Sequence, residues 1–231
     1  LTAKALNVDL LVHYGHSCLV PMDSKAGLKM LYVFVDIKTD ALHLVETVKF
    51  NFTPDRRLGM VSTIQFVTTI QTASNKLQED GYTVTVPQFR PLSPGEILGC
   101  TAPIVDGADV IIYVGDGRFH LEAIMIANPR LDAYRYDPYD KKLRREYYDH
   151  EDMKATRRDA ISRAKAGGGK FGIIVGTLGR QGSMKVVEYI RKRTDYHKKE
   201  SVVILLSEIF PSKLDLFEVD AFVQIACPRL S

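Results

Sequence analysis

Short apolar runs recur along the chain, separated by longer stretches whose apolar positions return at helical spacing. The runs are Leu10–Tyr14, Met30–Ile37, Met60–Phe66, Tyr82–Val86, Val110–Val114, Ala133–Tyr136, Phe171–Val175, Val202–Leu206 and Ala221–Ile225. They are rich in Val and Ile and mostly lack polar alternation, the pattern of strands covered on both faces in a parallel sheet. The stretches Thr68–Asp80, Arg118–Ala127, Asp152–Ala166 and Met184–Arg193 read as helices, with Thr68 as the expected cap and Gly81 as the stop of the first. Strand and helix alternating over short connections predict right-handed crossovers and an α/β fold.

A weak repeat overlies this alternation. Asn7–Val12, Gly107–Ile112 and Glu218–Val223 each place an Asp just before a buried strand, beginning about 100 and 111 residues apart. That period is too long for a solenoid and suits three related domains; the alternative is that an Asp before an apolar strand is a common local pattern. The expected organisation is three homologous small parallel-sheet α/β domains around a pseudo-threefold centre, over residues 1–57, 58–148 and 149–231. Seams are expected near Pro54–Leu58 and in the charged stretch Lys141–Arg158. The first domain lacks strands before Leu10 and reads as N-terminally incomplete. The chain opens on Leu1 and not Met, so it reads as a piece of something longer.

Composition narrows the function. Lys and Arg total 31 against 28 Asp and Glu, a net +3, so a histone-like or nucleic-acid-wrapping role is excluded. Hydrophobic residues at 45% and charged residues at 26% are globular proportions. No run approaches the roughly 18 apolar residues of a membrane span, and no signal peptide opens the chain. Three scattered cysteines cannot form a paired disulfide framework, which favours a reducing, cytoplasmic setting. Tyr134–Tyr139 with the basic residues after it resembles a nucleic-acid surface, but Asp140, Glu146 and Asp149 interleave it. A strand ending at a seam is the better reading, so neither nucleic acid nor membrane is an expected partner.

Candidate chemistry gathers after strands. Cys18 follows the first run, Cys100 lies in a loop after Tyr82–Val86, and Cys227 follows the last run. The C-terminal ends of parallel strands are where α/β folds place their sites. If the domains surround a common centre, three thiolates could converge, and soft sulfur ligands select iron–sulfur or zinc. Three thiolates suit a 4Fe–4S cluster with one iron left open. A lone cysteine is more often an inert small hydrophobe, so spacing alone leaves both readings standing. His13 and His16 near Cys18 are poorly placed for a cysteine nucleophile pair. Gly115–His120 and Gly176–Ser183 are glycine-rich turns that open onto helices. Each could hold a carboxylate or phosphate at helix amides, or serve only as a tight turn. Neither fits a dinucleotide or P-loop pattern, which keeps a nucleotide-binding α/β enzyme as one alternative and a metal-stabilised, non-catalytic subunit as another.

Several blocks in order carry a family resemblance across essentially the whole chain. They are HYGHSCLVP at His13–Pro21, GDGRFHLEAIMIANP at Gly115–Pro129, YRYDPY at Tyr134–Tyr139, GTLGRQGS at Gly176–Ser183, EIFPSK at Glu208–Lys213 and VDAFVQIACPRLS at Val219–Ser231. The sequence resembles the 2-(3-amino-3-carboxypropyl)histidine synthases of diphthamide biosynthesis, in the eukaryotic subunit 1 form. The resemblance implies three homologous domains that each give one cysteine to a 4Fe–4S cluster, here Cys18, Cys100 and Cys227. It implies reductive cleavage of S-adenosyl-L-methionine at the Cγ–S bond and transfer of the 3-amino-3-carboxypropyl group to a histidine of translation elongation factor 2. It also implies a heterodimer with a related second synthase subunit and a small iron-binding electron donor. Loop position suggests Gly179, Arg180 and Gln181 for the S-adenosylmethionine pocket, with Arg180 suited to the methionine carboxylate. Asp116, Arg118 and His120 are further candidates. The family's segment after Cys227 is missing, so the third domain reads as cut short.

Overall fold

The computed structural model describes residues 3, 6–15, 28–90, 92–99, 101–177 and 183–226. The chain divides into two compact units, Leu1–Tyr148 and Asp149–Ser231, and each follows from how its strands are covered.

In the first unit, β1 (Leu10–Tyr14) and β2 (Lys29–Val33) pair in parallel as a two-stranded sheet. The larger sheet contains β3 (Leu58–Ser62), β4 (Val84–Thr85), β5 (Val110–Val114), β6 (Asp132–Asp137) and β7 (Lys142–Glu146), in the order β4-β3-β5-β6-β7. All neighbours are parallel except β6 and β7. Every residue of β3 and β5 is buried, because helices cover both faces. Helices α1 (Ala41–Asn51) and α2 (Val67–Glu79) supply Leu44, Val45, Val48, Ile70, Ala73 and Leu77 to one face, against Leu58, Met60, Val110 and Ile112. On the other face, α3 (Phe119–Ala127) packs Leu121, Ile124 and Met125 against Val61, Ile111 and Tyr113. Continuous apolar strands are what this double cover requires.

Two elements depart from the sequence expectation. Helix α1 lies between the expected strand Met30–Ile37 and the expected seam at Pro54–Leu58, a stretch with no expected element; Asp40 caps it, its Oδ1 accepting from His43 N–H at 3.0 Å. Leu44, Val45 and Val48 bury it beneath β3, so the core runs across the expected seam at residues 57 and 58. Strand β7, nearly all charged, lies within the expected seam Lys141–Arg158. It pairs antiparallel at the sheet edge and is tied by Arg135 Nε to Glu146 Oε1 at 3.0 Å and by Arg145 Nη2 to Asp132 Oδ1 at 2.6 Å. A charged edge strand discourages pairing with another chain. The expected cap at Thr68 also shifts: a 3-10 turn over Ile64–Phe66, begun at Thr63, feeds directly into Val67. Tyr134 and Tyr136 belong to β6, and Tyr136 is buried with its hydroxyl 2.9 Å from His43 Nδ1.

The second unit contains α4 (His150–Gly167), β8 (Lys170–Gly176), α5 (Met184–Tyr196), β9 (Glu200–Leu206), the short α6 (Pro211–Leu214) and β10 (Ala221–Ile225). Its sheet has the order β10-β8-β9, all parallel. Its core is thin: Ile173, Ile174, Val175, Val187 and Ile204 are buried, and α4 buries none of its residues. Among the described residues, no helix is long and apolar enough to cross a membrane.

The repeated Asp has a structural role in both large sheets. Asp109, just before β5, accepts from Arg57 N–H at 3.1 Å and takes Arg57 Nη2 at 2.6 Å, at the start of the neighbouring β3. Asp220, just before β10, accepts from Gly169 and Lys170 N–H at 2.8 Å each, at the start of the neighbouring β8. Each carboxylate therefore locks two strand beginnings together, at the end of the sheet away from the post-strand loops. Arg57, through its side chain and then its amide, holds Asp109 down at about 2; the amides of Lys170 and Gly169 hold Asp220 below the ordinary carboxylate range. Because these folded-state values are depressed, the stabilisation is complete above the unfolded value of roughly 4 and is lost as pH falls towards the folded one. The unfolding midpoint in urea is expected to drop between about pH 4 and about pH 2, and Asp109→Asn to flatten part of that drop. An unchanged pH profile in the variant would exclude this assignment.

Candidate functional site

A parallel strand flanked on both sides by later strands sends its crossovers to opposite faces, and the loops after it part at the C-terminal edge. This happens between β3 and β5, where α2 and α3 cover opposite faces. An open cleft of about 310 Å³ lies there, lined by Thr63, Ile64, Gln65, Leu98 and Asp116–His120. The second unit repeats the topology: β8 is flanked by β9 and β10. Thr177 and Ala226, at the ends of the two strands beside that switch point, lead in sequence into the segments carrying Gly179–Gln181 and Cys227.

Two strand ends meet at the first cleft. After β3, Ser62 N–H donates to Gly95 carbonyl at 2.8 Å and Ile97 N–H donates to Ser62 carbonyl at 2.9 Å. These bonds stitch the Gly95–Gly99 segment onto the C-terminal end of β3. Glu96, fully buried, accepts from Ser93 N–H through Oε2 at 3.0 Å and tightens the same turn. After β5, Gly117 has φ +65°, a conformation that disfavours other residues. Tyr113 is buried beneath this turn, its hydroxyl donating to Asp116 carbonyl at 3.3 Å. Burial pushes its phenol well above the ordinary range, so it stays a neutral donor.

Asp116, Arg118 and His120 thus share one cleft with Leu98, close in sequence to Cys100. Arg118 lines it but is already engaged: Nη1 meets Glu146 Oε2 at 2.7 Å, Nη2 donates to Tyr147 carbonyl at 2.9 Å, and Nε approaches Glu122 at 3.4 Å. Its guanidinium ties the post-β5 turn to the end of β7. Thr63, Ile64, Gln65 and Leu98 were not singled out from sequence; the end of β3 at a switch point is the signal that marks them. Cys18, Cys100, Cys227, Gly179, Arg180 and Gln181 lie outside the described residues. Among the described residues, no group of three or more His, Cys, Asp or Glu could hold a metal ion.

Fold and cleft define an α/β protein with mainly parallel sheets and an open cleft at the loops after its strands. The family described as "Putative diphthamide synthesis protein" matches residues 1–231, and the chain belongs to it. A curated relative from Nematostella vectensis, 2-(3-amino-3-carboxypropyl)histidine synthase subunit 1, is 59% identical over 231 residues, covering 100% of this chain and 49% of its own length. The Homo sapiens protein of the same name is 55% identical over 233 residues, with 100% and 53% covered. The chain thus spans about half the length of these relatives. Among solved structures, Dph2 from Pyrococcus horikoshii superposes with TM-score 0.77 at 27% identity, over 99% of this chain and 67% of that one. The same protein with a 4Fe–4S cluster gives TM-score 0.79 at 25% identity, over 99% and 66%.

The Arg118 contacts carry a prediction. Arg118→Gln removes a charged partner from Glu146, whose side chain is only 9% exposed. Arg135 remains as its second partner, so a loss of about 1–2 kcal/mol in unfolding free energy is expected. Chemical denaturation measures it; unchanged stability would mean that the guanidinium is not a structural tie.

Proposed function

We propose that this chain is part of a 2-(3-amino-3-carboxypropyl)histidine synthase that binds a 4Fe–4S cluster through Cys18, Cys100 and Cys227. Family membership over the full chain carries the reading, and the strand arrangement supports it. Cys18 and Cys227 follow β1 and β10 in sequence, and Cys100 comes three residues after Ile97, which is hydrogen-bonded to Ser62 at the end of β3. The donor set suits the group: three soft thiolates leave one iron of a four-iron cluster without a protein ligand. The same reading takes the chain as three related α/β domains, with α1 packed into the core of the second, so that the seam between the first two falls before α1 and not at residues 57 and 58.

Such a cluster, once bound, supplies an electron and a coordination position for S-adenosylmethionine. The chain's share is orientation. The reading assigns S-adenosylmethionine to the loops at the switch points. Gly179, Arg180 and Gln181 after β8 form one set, with Arg180 suited to the methionine carboxylate. Asp116 and His120 at the described cleft form another. Arg118 holds the second set in place through Glu146 and Tyr147. Orientation of the sulfonium selects the Cγ–S bond, so that methylthioadenosine leaves and the 3-amino-3-carboxypropyl group passes to a histidine of translation elongation factor 2. The relatives are named as subunit 1, which favours a related second subunit as partner. A small iron-binding donor supplies electrons, and the setting is cytoplasmic.

Anaerobic reconstitution of the full-length protein with iron and sulfide tests the ligand assignment. About four irons per chain are expected, with an absorbance near the visible range typical of iron–sulfur proteins. Cys→Ala at position 18, 100 or 227 should each abolish them together. A colourless wild-type protein, or a cluster retained in all three variants, would overturn the proposal.

A further inference from the structure

The two units end their paired helices alike but fill the corner between those ends differently. In the first, α2 stops at Asp80, Gly81 takes φ +89°, and Tyr82 N–H donates back to Leu77 carbonyl at 2.9 Å. In the second, α5 stops at His197, Lys198 takes φ +53°, and Lys199 N–H donates back to Thr194 carbonyl at 2.9 Å. The preceding helices match as well. Helices α1 and α4 lead into β3 and β8, and each carries a lysine three residues before its C-cap, Lys49 before Phe52 and Lys165 before Gly168.

In the first unit this corner is solid. Phe52 and Tyr82 are buried there, the Tyr82 hydroxyl donating to Phe52 carbonyl at 2.8 Å, and Lys49 Nζ meets Asp80 Oδ2 at 2.9 Å. Two aromatic rings and one carboxylate fill the space. In the second unit all three are replaced: Gly168 stands for Phe52, Lys199 for Tyr82 and His197 for Asp80. An open groove of about 540 Å³ takes the place of the filling, with Phe171, Tyr189 and Ile190 on its apolar walls and Lys165, Arg193 and Lys199 around them. A Cβ on Gly168 would stand 2.5 Å from Ala164 carbonyl oxygen and 2.7 Å from Phe171 Cζ, so no side chain fills the groove from that position.

The groove is also short of negative charge. Among the described residues, no carboxylate lines it. Asp220 feels the charge of Lys199 but is held by the Gly169 and Lys170 amides at the start of β8. The C-terminal ends of α4 and α5 carry roughly half a negative charge each, which offsets about one of the three full positive charges.

We infer that this groove docks a segment of a partner protein that presents an aromatic side chain beside a carboxylate. Such groups fill the matching corner of the first unit, where the chain supplies them itself. Tyr189, 65% exposed on the groove wall, and Arg193 are of the kinds that anchor protein interfaces. The groove lies at the starts of β8 and β9, the edge away from the loops after them. It is therefore separate from the site above and independent of the cluster reading.

Calorimetric titration of the full-length protein with the peptide acetyl-Glu-Asp-Gly-Tyr-amide, which copies the acid and ring of the first unit, tests the inference. Saturable binding tighter than about 1 mM is expected. Replacing both acids by their amides, or the tyrosine by alanine, should weaken it about tenfold each. In the protein, Lys165→Gln should weaken it about tenfold. The double change His197→Asp with Lys199→Tyr rebuilds the filling of the first unit. It should abolish binding and raise the urea midpoint. Lys165→Gln keeps the inference testable if the double variant fails to fold. A wild type that does not bind, binding indifferent to the acids or to Lys165, or a folded double variant that binds as before would overturn it. So would 4-hydroxyphenylacetate binding as tightly as the peptide, because the site would then take a small aromatic acid.

Discussion

The hydrogen-bonded placement of one strand between two later ones governs the molecule. With β3 between β4 and β5, and β8 between β9 and β10, the first strand of each sheet cannot be covered from one side only. Right-handed crossovers to its two neighbours must run over opposite faces. The loops after the strands then part, and a crevice opens at the C-terminal edge. The cleft at Thr63–Gln65 and Asp116–His120 is a direct product of that geometry. The opposite edge is closed by Asp109 and Asp220, whose carboxylates bridge the beginnings of neighbouring strands. One end of each sheet is locked by polar bonds, and the other leaves its post-strand loops free of such a lock.

The two units spend their residues differently. Around β3 and β5 both faces are covered by helices, and the strands are buried throughout. This gives the post-β3 and post-β5 loops a firm base, reinforced by Ser62, Glu96 and Arg118. Around β8 the cover is sparse: α5 buries Val187 alone, and α4 buries nothing.

Much of this was legible in the sequence, for physical reasons. The apolar run Val110–Val114 reveals a strand covered on both faces, and the structure buries all of it; Ala221–Ile225 also forms a strand, at the sheet edge and only half-buried. Helix α1 was missed although Asp40 as a cap and Leu44, Val45 and Val48 at helical spacing were available to read. Strand β7 was not legible, because Lys142–Glu146 has no apolar period; cross-strand ion pairs with β6 stabilise it. The Asp repeat was visible, but its role as a lock between strand starts required the pairing of β3 with β5 and of β8 with β10. At the site, sequence located the Asp116–His120 turn. Thr63 and Gln65 emerged only once the topology was in place, since no local motif marks them.

The proposed function depends on which bond of the sulfonium breaks. Full-length protein with its partner subunit, reconstituted and reduced with dithionite, is given S-adenosylmethionine for a single turnover, and the nucleoside products are separated. The proposed synthase chemistry yields methylthioadenosine as the nucleoside product. Formation of 5′-deoxyadenosine in its place would contradict it.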